Sequence, residues 1–264
     1  MKHPEGLAHD LLTLRLTRRR LLGMFGGAAL IPIIGGCTST SQNEGVDSNT
    51  GTDGKSGTCS EVPQETAGPY PGDGTNGANA LTSSGIVRTD IRASFGGSTT
   101  VATGIPLTVA LTILDKATCA PLADHAVYIW HCDQGGNYSM YSPSVTGENY
   151  LRGVQVTDAA GQVTFTSIFP ACYSGRWPHI HFEIFATLAA ATSGNNRVGV
   201  SQLALPKAVC DAVYATSGYS QSVSNLSQIS LATDNVFSDG ATLEIPTMTG
   251  SVSGGYVATL AAAI

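Results

Sequence analysis

Two histidines two residues apart, His179 and His181, are the feature of this sequence best suited to chemistry. They lie in an alternating segment, HIHFEIF at 179–185, which is typical of a β-strand. Side chains at positions i and i+2 of a strand point to the same face, so both imidazoles can reach one point in space. Because neutral imidazole is the commonest metal ligand, the pair predicts a metal site. The alternative is a pair of polar side chains on a solvent-facing strand.

Further reactive side chains accompany this pair. Tyr173 and Arg176 precede it by six and three residues, and Tyr138 lies in a Gly-Gly-Asn-Tyr loop shortly after the apolar segment 126–132. His131, at the end of that segment, is interpreted as a structural strand-end residue. The sequence therefore concentrates phenol, imidazole and guanidinium groups around a small number of predicted strands.

The elements that must position these groups are short strands separated by Gly, Asn, Asp and Pro clusters. Predicted strands cover 106–115, 126–132, 163–166, 179–185, 198–205 and 255–260. The first is the clearest, since large apolar residues alternate with Thr or Ala from Leu107 to Ile113. Only 206–215 is predicted as a helix. This pattern predicts an all-β fold, an antiparallel β-sandwich with long active-site loops and few short helices.

Composition and charge exclude several classes of protein. Of 264 residues, 42% are hydrophobic and 12% are charged, which is too apolar for an intrinsically disordered chain. The formal net charge of −6 argues against nucleic acid as a partner. No apolar run reaches the 18 or so residues of a membrane-spanning helix.

The first 58 residues are predicted to lie outside the fold. Residues 1–36 carry an arginine run, two leucines and a short apolar stretch, which resembles a twin-arginine export signal. The Ile-Gly-Gly-Cys sequence ending at Cys37 resembles a lipobox, and an ordinary residue beside a signal-peptidase site is the alternative. Residues 37–58 are interpreted as a flexible Ser/Thr/Gly-rich tether, and 59–264 as one domain. The expected location is the cell envelope, lipid-anchored on the outer side of a membrane, or secreted.

Five cysteines fall within the predicted domain: Cys59, Cys119, Cys132, Cys172 and Cys210. Pairing is the expectation for an exported protein. Because the number is odd, at least one cysteine is free or pairs between chains, and the spacing leaves the connectivity open.

Six motifs together resemble the intradiol ring-cleavage dioxygenases (catechol and protocatechuate dioxygenase-like), in particular an exported, lipoprotein-type branch. They are ETAGPY at 65–70, VRTDI at 87–91, IWHCD at 129–133, YLRGVQVTD at 150–158, IFPACY at 168–173 and RWPHIH at 176–181. The resemblance covers about residues 59–264. It is most specific between Tyr173 and His181, where residue types and spacing both match.

The resemblance implies a mononuclear non-haem Fe³⁺ held by two tyrosines and two histidines. By motif position the ligands are Tyr138, Tyr173, His179 and His181. Elementary chemistry is consistent with this set, since Fe³⁺ is a hard cation that prefers anionic oxygen donors such as phenolate. A free phenol has a pKa near 10, and coordination to a strongly positive ion keeps it ionised at neutral pH.

The resemblance also implies a reaction. A catechol binds the iron as a dianion and displaces one tyrosine, O₂ attacks the ring between its two hydroxylated carbons, and a muconate-type diacid results. Tyr173 matches the tyrosine that leaves, so it is also a candidate base for a substrate hydroxyl. Arg176 matches a charge-stabilising position, with a surface ion pair as the alternative. Gln202 matches a glutamine beyond the ligands, with a strand-edge polar residue as the alternative. The family's long helical dimerisation segment is not evident, which leaves the oligomeric state open.

Two other functions are compatible with the same residues. His179, His181 and Glu183 share one strand face, so they could form a two-histidine, one-carboxylate site for Fe²⁺ or Mn²⁺. Alternatively, the domain is a non-catalytic β-sandwich on a surface lipoprotein that binds ligands through its loops. Bound iron with a red to burgundy colour would distinguish the dioxygenase from both.

Overall fold

A computed structural model describes residues 59–264 of the protein. Eight strands make up the domain: β1 Pro106–Leu114, β2 Ala126–Trp130, β3 Arg152–Val156, β4 Gln162–Ile168, β5 His179–Phe185, β6 Gly199–Ala204, β7 Thr247–Ser251 and β8 Gly255–Ala263. Two α-helices, α1 Lys207–Tyr214 and α2 Ser220–Leu226, lie between β6 and β7. Single 3₁₀ turns occur at Leu188–Ala190, Gly194–Asn196 and Phe237–Asp239. None of the helices in residues 59–264 is long and apolar enough to cross a membrane.

The strands form two four-stranded sheets. One sheet has the order β4-β1-β8-β7 and the other has the order β3-β2-β5-β6. All pairs are antiparallel except β1 with β8, which run parallel. The predicted all-β sandwich is confirmed, with this one parallel pair as an addition.

The main hydrophobic core lies between the sheets. Strand β1 shows why, since after the exposed Pro106 its residues alternate between buried and half-buried, as a period of two requires. Its buried residues pack in one cluster with inward-facing residues of the second sheet, including Ile129, Ile180, Phe182 and Leu203. This face of β5 is therefore the core face, and the histidines lie on the opposite face.

The outer face of the second sheet is also covered. A second cluster joins Tyr128 and Trp130 of β2 and Phe185 of β5 to Tyr138 and Leu81 of the loops. All seven residues of β5 are consequently buried. The alternative of a solvent-facing histidine pair is thereby excluded, because both faces of the strand are shielded from water.

The predicted elements agree closely with those observed. Helix α1 falls inside 206–215, and it buries Cys210, Val213 and Tyr214 at the spacing of one helical face. Strand β3, strand β7 and helix α2 were not predicted. Strand β7 has no buried residue and lies at a sheet edge, so it carries no apolar alternation for a sequence pattern to reveal.

The cysteine pattern is now resolved for the described residues. Cys59 and Cys119 form a disulfide, and Cys132, Cys172 and Cys210 are buried free thiols. The export signal, the lipobox at Cys37 and the tether of residues 37–58 lie outside the described residues and stay predictions.

Candidate metal centre

Four directly opposed residues form a row across the outer face of the second sheet. Strand pairing sets Trp130 opposite Arg152 on one side and opposite His181 on the other, and His181 opposite Gln202. Opposed residues of antiparallel strands share a face, so all four side chains project to the same side of the sheet. Each of them is at most 3% exposed. A row of buried polar and aromatic groups is the base of the candidate site.

The predicted ligands converge on this row. The Nε2 atom of His179 lies 3.1 Å from Nε2 of His181, 3.3 Å from the hydroxyl of Tyr138 and 3.2 Å from the hydroxyl of Tyr173. Tyr138 is only 2% exposed, whereas Tyr173 is half-buried. The four side chains that the resemblance grouped by motif thus meet around one atom, although they come from three separate segments.

The loop that carries Tyr138 is held by its own polar groups. One carboxylate oxygen of Asp133 accepts hydrogen bonds from the backbone N–H groups of Gly135 and Asn137. The hydroxyl of Tyr150 donates to the other oxygen of Asp133. These bonds close a turn immediately before Tyr138 and fix the direction from which its phenol enters the site.

Tyr173 is positioned by a close approach of two backbones. Gly136 has φ +85°, and a Cβ added there would lie 3.2 Å from Cβ of Tyr173, so glycine lets the first loop pack against the second tyrosine. From the other side, helix α2 holds the preceding residue. Ser222 accepts the N–H of Cys172, and Asn225 donates to its carbonyl. Helix α2, absent from the sequence prediction, therefore supports one of the candidate ligands.

The protonation of the four groups suits metal binding. Burial, reinforced by the positive charge of Arg176, holds the pKa of His179 well below its usual value, and burial with the neighbouring His179 does the same for His181. Both imidazoles are therefore neutral and able to donate a lone pair. Burial and the nearby Tyr173 raise the pKa of Tyr138 well above its usual value. A phenolate at this position thus requires a strong positive charge beside it.

The spacing of the donor atoms fits a single metal ion. Donors placed about 2.0–2.1 Å from one ion, at roughly right angles, are about 3 Å apart. The observed separations of 3.1, 3.2 and 3.3 Å from His179 agree with this value. Two neutral nitrogens with two ionisable oxygens also form the mixed set that a hard trivalent ion accepts. The residues present therefore fit the predicted iron.

The guanidinium of Arg176 is fixed by hydrogen bonds to two other side chains. Its Nε donates to Asp234 at 3.0 Å, and its Nη2 donates to Gln202 at 2.8 Å. Gln202 in turn donates to the carbonyl of Thr66 at 2.8 Å. Arg176 is 6% exposed, so the alternative of a surface ion pair is excluded for it. Gln202 lies on β6, the edge strand of its sheet, but it is fully buried and both ends of its side-chain amide are hydrogen-bonded.

Glu183 is engaged away from the histidines. Its Oε1 lies 3.3 Å from Nη1 of Arg197, and burial followed by the nearby Asp73 raises its pKa to about 8. Within residues 59–264, no group of three or more His, Cys, Asp or Glu side chains is arranged to hold a metal. The described domain therefore does not assemble the two-histidine, one-carboxylate site. A site with tyrosine ligands is a different case, because tyrosine is not among these four residue types.

The segment around Gly68 forms one wall of the site. A Cβ on Gly68, whose φ is +68°, would lie 3.4 Å from the His181 ring. The ring of Tyr70 packs 5.0 Å from the ring of Tyr138. Arg152 binds this wall to the Tyr138 loop, because its guanidinium donates to the carbonyls of Tyr70 and Ser139. Neither Arg152 nor Asp234 was identified as a site residue from the sequence, although Arg152 stands within the YLRGVQVTD motif at 150–158.

Both ring nitrogens of His131 are engaged by groups other than the four candidate ligands. Its Nε2 lies 2.7 Å from the hydroxyl of Ser167, its Nδ1 lies 2.8 Å from the carbonyl oxygen of Cys132, and burial lowers its pKa to about 4. The interpretation of His131 as a structural strand-end residue is confirmed.

This chain is similar to known dioxygenases. Residues 88–193 match the family model described as Dioxygenase (Dioxygenase_C). An intradiol ring-cleavage dioxygenase from Tetranychus urticae is 27% identical and superposes with a TM-score of 0.61 over 78% of this chain and 95% of its own. A second solved dioxygenase gives 27% identity, a TM-score of 0.62 and coverage of 78% and 94%.

A curated relative agrees over a shorter segment. Catechol 1,2-dioxygenase 2 of Acinetobacter lwoffii is 41% identical over 54 residues, which is 20% of this chain and 19% of the relative. The match thus spans about a fifth of that enzyme. Taken with the fold, these comparisons show that the described domain is similar to intradiol ring-cleavage dioxygenases, which are oxidoreductases.

Proposed function

We propose that this protein is a non-haem Fe(III) dioxygenase that cleaves the ring of a catechol between its two hydroxylated carbons. The reaction consumes one O₂, breaks one carbon–carbon bond and incorporates both oxygen atoms, which gives a muconate-type diacid. The observation that carries the proposal is the convergence of Tyr138, Tyr173 and His181 within 3.3 Å of Nε2 of His179. Bound iron(III) would supply a Lewis-acid centre that binds both catechol oxygens and makes the ring electron-rich toward O₂.

The two tyrosines have different roles in this proposal. Tyr138 is buried within the loop closed by Asp133, so it stays in place as a permanent ligand. Tyr173 is half-buried and lies beside the exposed residues Ser174 and Gly175, so its side chain has room to move. With iron bound, Tyr173 would be the ligand that gives way to substrate, and its phenolate oxygen would accept the proton of a substrate hydroxyl.

Arg176 and its partners supply the electrostatic part of catalysis. The Arg176 guanidinium is fixed by Asp234 and Gln202, so it does not reorganise as negative charge builds up on the substrate oxygens. Gln202 also donates a hydrogen bond to the carbonyl of Thr66, and so connects Arg176 to the segment around Gly68 that forms one wall of the site. The same side chains exclude water from the back of the site.

Iron analysis, visible absorption and oxygen uptake test the proposal together. We expect the purified protein to contain about one iron per chain, to be red to burgundy from phenolate-to-iron charge transfer, and to consume O₂ with one or more members of a panel of simple, chlorinated, carboxylated and lignin-derived catechols. Tyr138→Phe should shift or weaken the colour. Tyr141→Phe is the matched control, because the Tyr141 hydroxyl bonds to Gly72 and Asn76 rather than to the ligands. An iron-free native preparation, or a colour unaffected by Tyr138→Phe, would contradict the proposal.

We further infer that the enzyme acts in the cell envelope. The supporting observation is the export-type sequence of residues 1–36 followed by Cys37. Cell fractionation should find the protein in membranes and the Cys37→Ser variant released from them. An unchanged distribution of that variant would refute the lipid anchor.

A further inference from the structure

The two histidines of the proposed metal centre are held in different ways. Nδ1 of His179 lies 2.5 Å from the carbonyl oxygen of Trp177 and donates to it, which fixes the ring plane and leaves Nε2 free to bind a metal. Nδ1 of His181 is buried and has no hydrogen-bond partner among the described residues. Metal-binding histidines usually have such a partner, so another contact must orient His181.

That contact is the indole ring of Trp130. The two rings are 4.7 Å apart between centroids and only 4° from parallel. Trp130 is fully buried and lies directly opposite His181 on the neighbouring strand. Its other neighbour is Tyr128, whose ring is 5.0 Å away at an angle of 23°. The imidazole therefore rests on a rigid stack that the sheet itself holds in place.

The contact of Trp130 with His181 is made by the ring face. Its indole N–H, like Nδ1 of His181, has no hydrogen-bond partner within residues 59–264. Trp177 is the counter-example in the same domain, since its indole N–H donates to the carbonyl of Leu205 at 2.9 Å. The Trp130 N–H thus contributes no hydrogen bond to the site, and what this side chain presents to His181 is its ring face.

A bound cation would strengthen the stack. Coordination at Nε2 draws electron density from the imidazole, which makes that ring more positive. The face of an indole carries negative potential and attracts positive charge more strongly than any other aromatic side chain. Trp130 therefore favours the metal-bound form of His181 over the free form, and it does so without a proton transfer.

We propose that Trp130 is the positioning residue for His181: its ring face fixes the imidazole plane and stabilises the metal-bound form, in place of the hydrogen bond that orients His179. This inference rests on the proposed iron site. Trp130 touches neither substrate nor metal in this role, so its effect is expected on metal retention first and on turnover as a consequence.

Three variants of the full-length protein test the inference. Trp130→Leu removes the aromatic face, and Trp130→Phe keeps a smaller face as a conservative rescue. Phe182→Leu is the matched control, because Phe182 is a fully buried neighbour of His181 that points to the opposite face of β5, into the main core. Each protein is loaded with iron and mixed with excess EDTA below its unfolding temperature. The loss of the charge-transfer band and the iron released are then followed together.

We expect Trp130→Leu to lose iron about tenfold faster than the wild type, because removing a group that supports a metal ligand typically lowers metal affinity about 10–100-fold. Trp130→Phe should lie between the two, and Phe182→Leu should release iron at the wild-type rate despite lower thermal stability. Equal rates for Trp130→Leu and wild type overturn the inference, as does equally fast loss from Phe182→Leu. If Trp130→Leu does not fold, a wild-type rate in Trp130→Phe overturns it. A wild type that binds no iron instead refutes the proposed function.

Discussion

Removing the guanidinium of Arg176 should separate its catalytic effect from its structural one. The Arg176→Met variant keeps a long side chain but deletes the positive charge beside the proposed ligands. It leaves the fully buried carboxylate of Asp234 without its 3.0 Å ion-pair partner, and Gln202 without its 2.8 Å donor. Both losses occur in a region shielded from water, where unpaired charge is costly.

The structure sets the size of the stability loss. Removing one partner of a buried ion pair typically lowers the free energy of unfolding by about 3–5 kcal/mol. Asp234 still accepts backbone N–H groups of Trp177 at 2.6 Å, Val236 at 2.8 Å and Phe237 at 3.1 Å. These three bonds favour the lower end, about 3 kcal/mol. For a domain of this size, that corresponds to a fall in Tm of roughly 6–12 °C.

Calorimetry and oxygen uptake, measured on the single variant and on Arg176→Met/Asp234→Asn, provide the assay. The second substitution removes the stranded charge, so we expect it to restore about 2 kcal/mol of stability. Turnover should stay about 10²–10³-fold below wild type in both variants, because the charge that stabilises the reacting oxygens is absent from both. Iron should be retained in both. A double variant that regains turnover along with stability would refute the electrostatic role, and a single-variant cost below about 1 kcal/mol would refute the structural reasoning.

Two further predictions concern the buried groups around the site. Burial, followed by the nearby Glu65, raises the pKa of Glu244 from an ordinary 4.5 to about 8. The contribution of Glu244 to stability is therefore complete below pH 4.5 and is lost as the pH rises toward 8. The loss is at most about 1.4 kcal/mol per pH unit. Chemical denaturation at pH 6 and pH 8 measures this loss of unfolding free energy, which should be smaller for Glu244→Gln than for the wild type. An identical loss in the two proteins would show that the carboxyl group does not titrate as described. Gly72→Ala should destabilise the domain by about 2–4 kcal/mol, because Gly72 has φ +62° and a Cβ there would lie 2.7 Å from Nη1 of Arg152. Gly96→Ala, at φ +76° with nothing within 4 Å, is the control, and equal costs for the two glycines would exclude the contact with Arg152 as the cause.

The histidine strand was predictable because its chemistry and its periodicity agree. In HIHFEIF the polar and apolar residues alternate from His179 to Ile184, and the observed strand has the predicted bounds. Strand β3 was missed for the opposite reason. Its sequence, RGVQV, begins with an arginine and a glycine, which are uncommon in strand interiors, and the burial of Arg152 depends on acceptors in other segments.

Long-range support of the site could not be deduced from one sequence. Asp234 lies 58 residues after Arg176, in a region without strand or helix signals, and only the folded chain brings them together. Helix α2 supports Cys172 through Ser222 and Asn225, although its sequence, SQSVSNL, has too few apolar residues to indicate a buried face. Such contacts follow from how loops pack, and local patterns carry no information about them.

The hydrophobic core determines the geometry of the metal centre through the register of β5. Ile180 and Phe182 face the main core, and His181 faces Trp130 only because side chains alternate. A slip of one residue would turn the histidines and Glu183 into the core, at a cost of several kcal/mol for each polar group left unpaired, and would direct Ile180 and Phe182 at the tyrosines. The apolar residues that never touch the site therefore hold its donors in register. Substitutions that loosen the core should accordingly lower stability well before they move His179 and His181 apart.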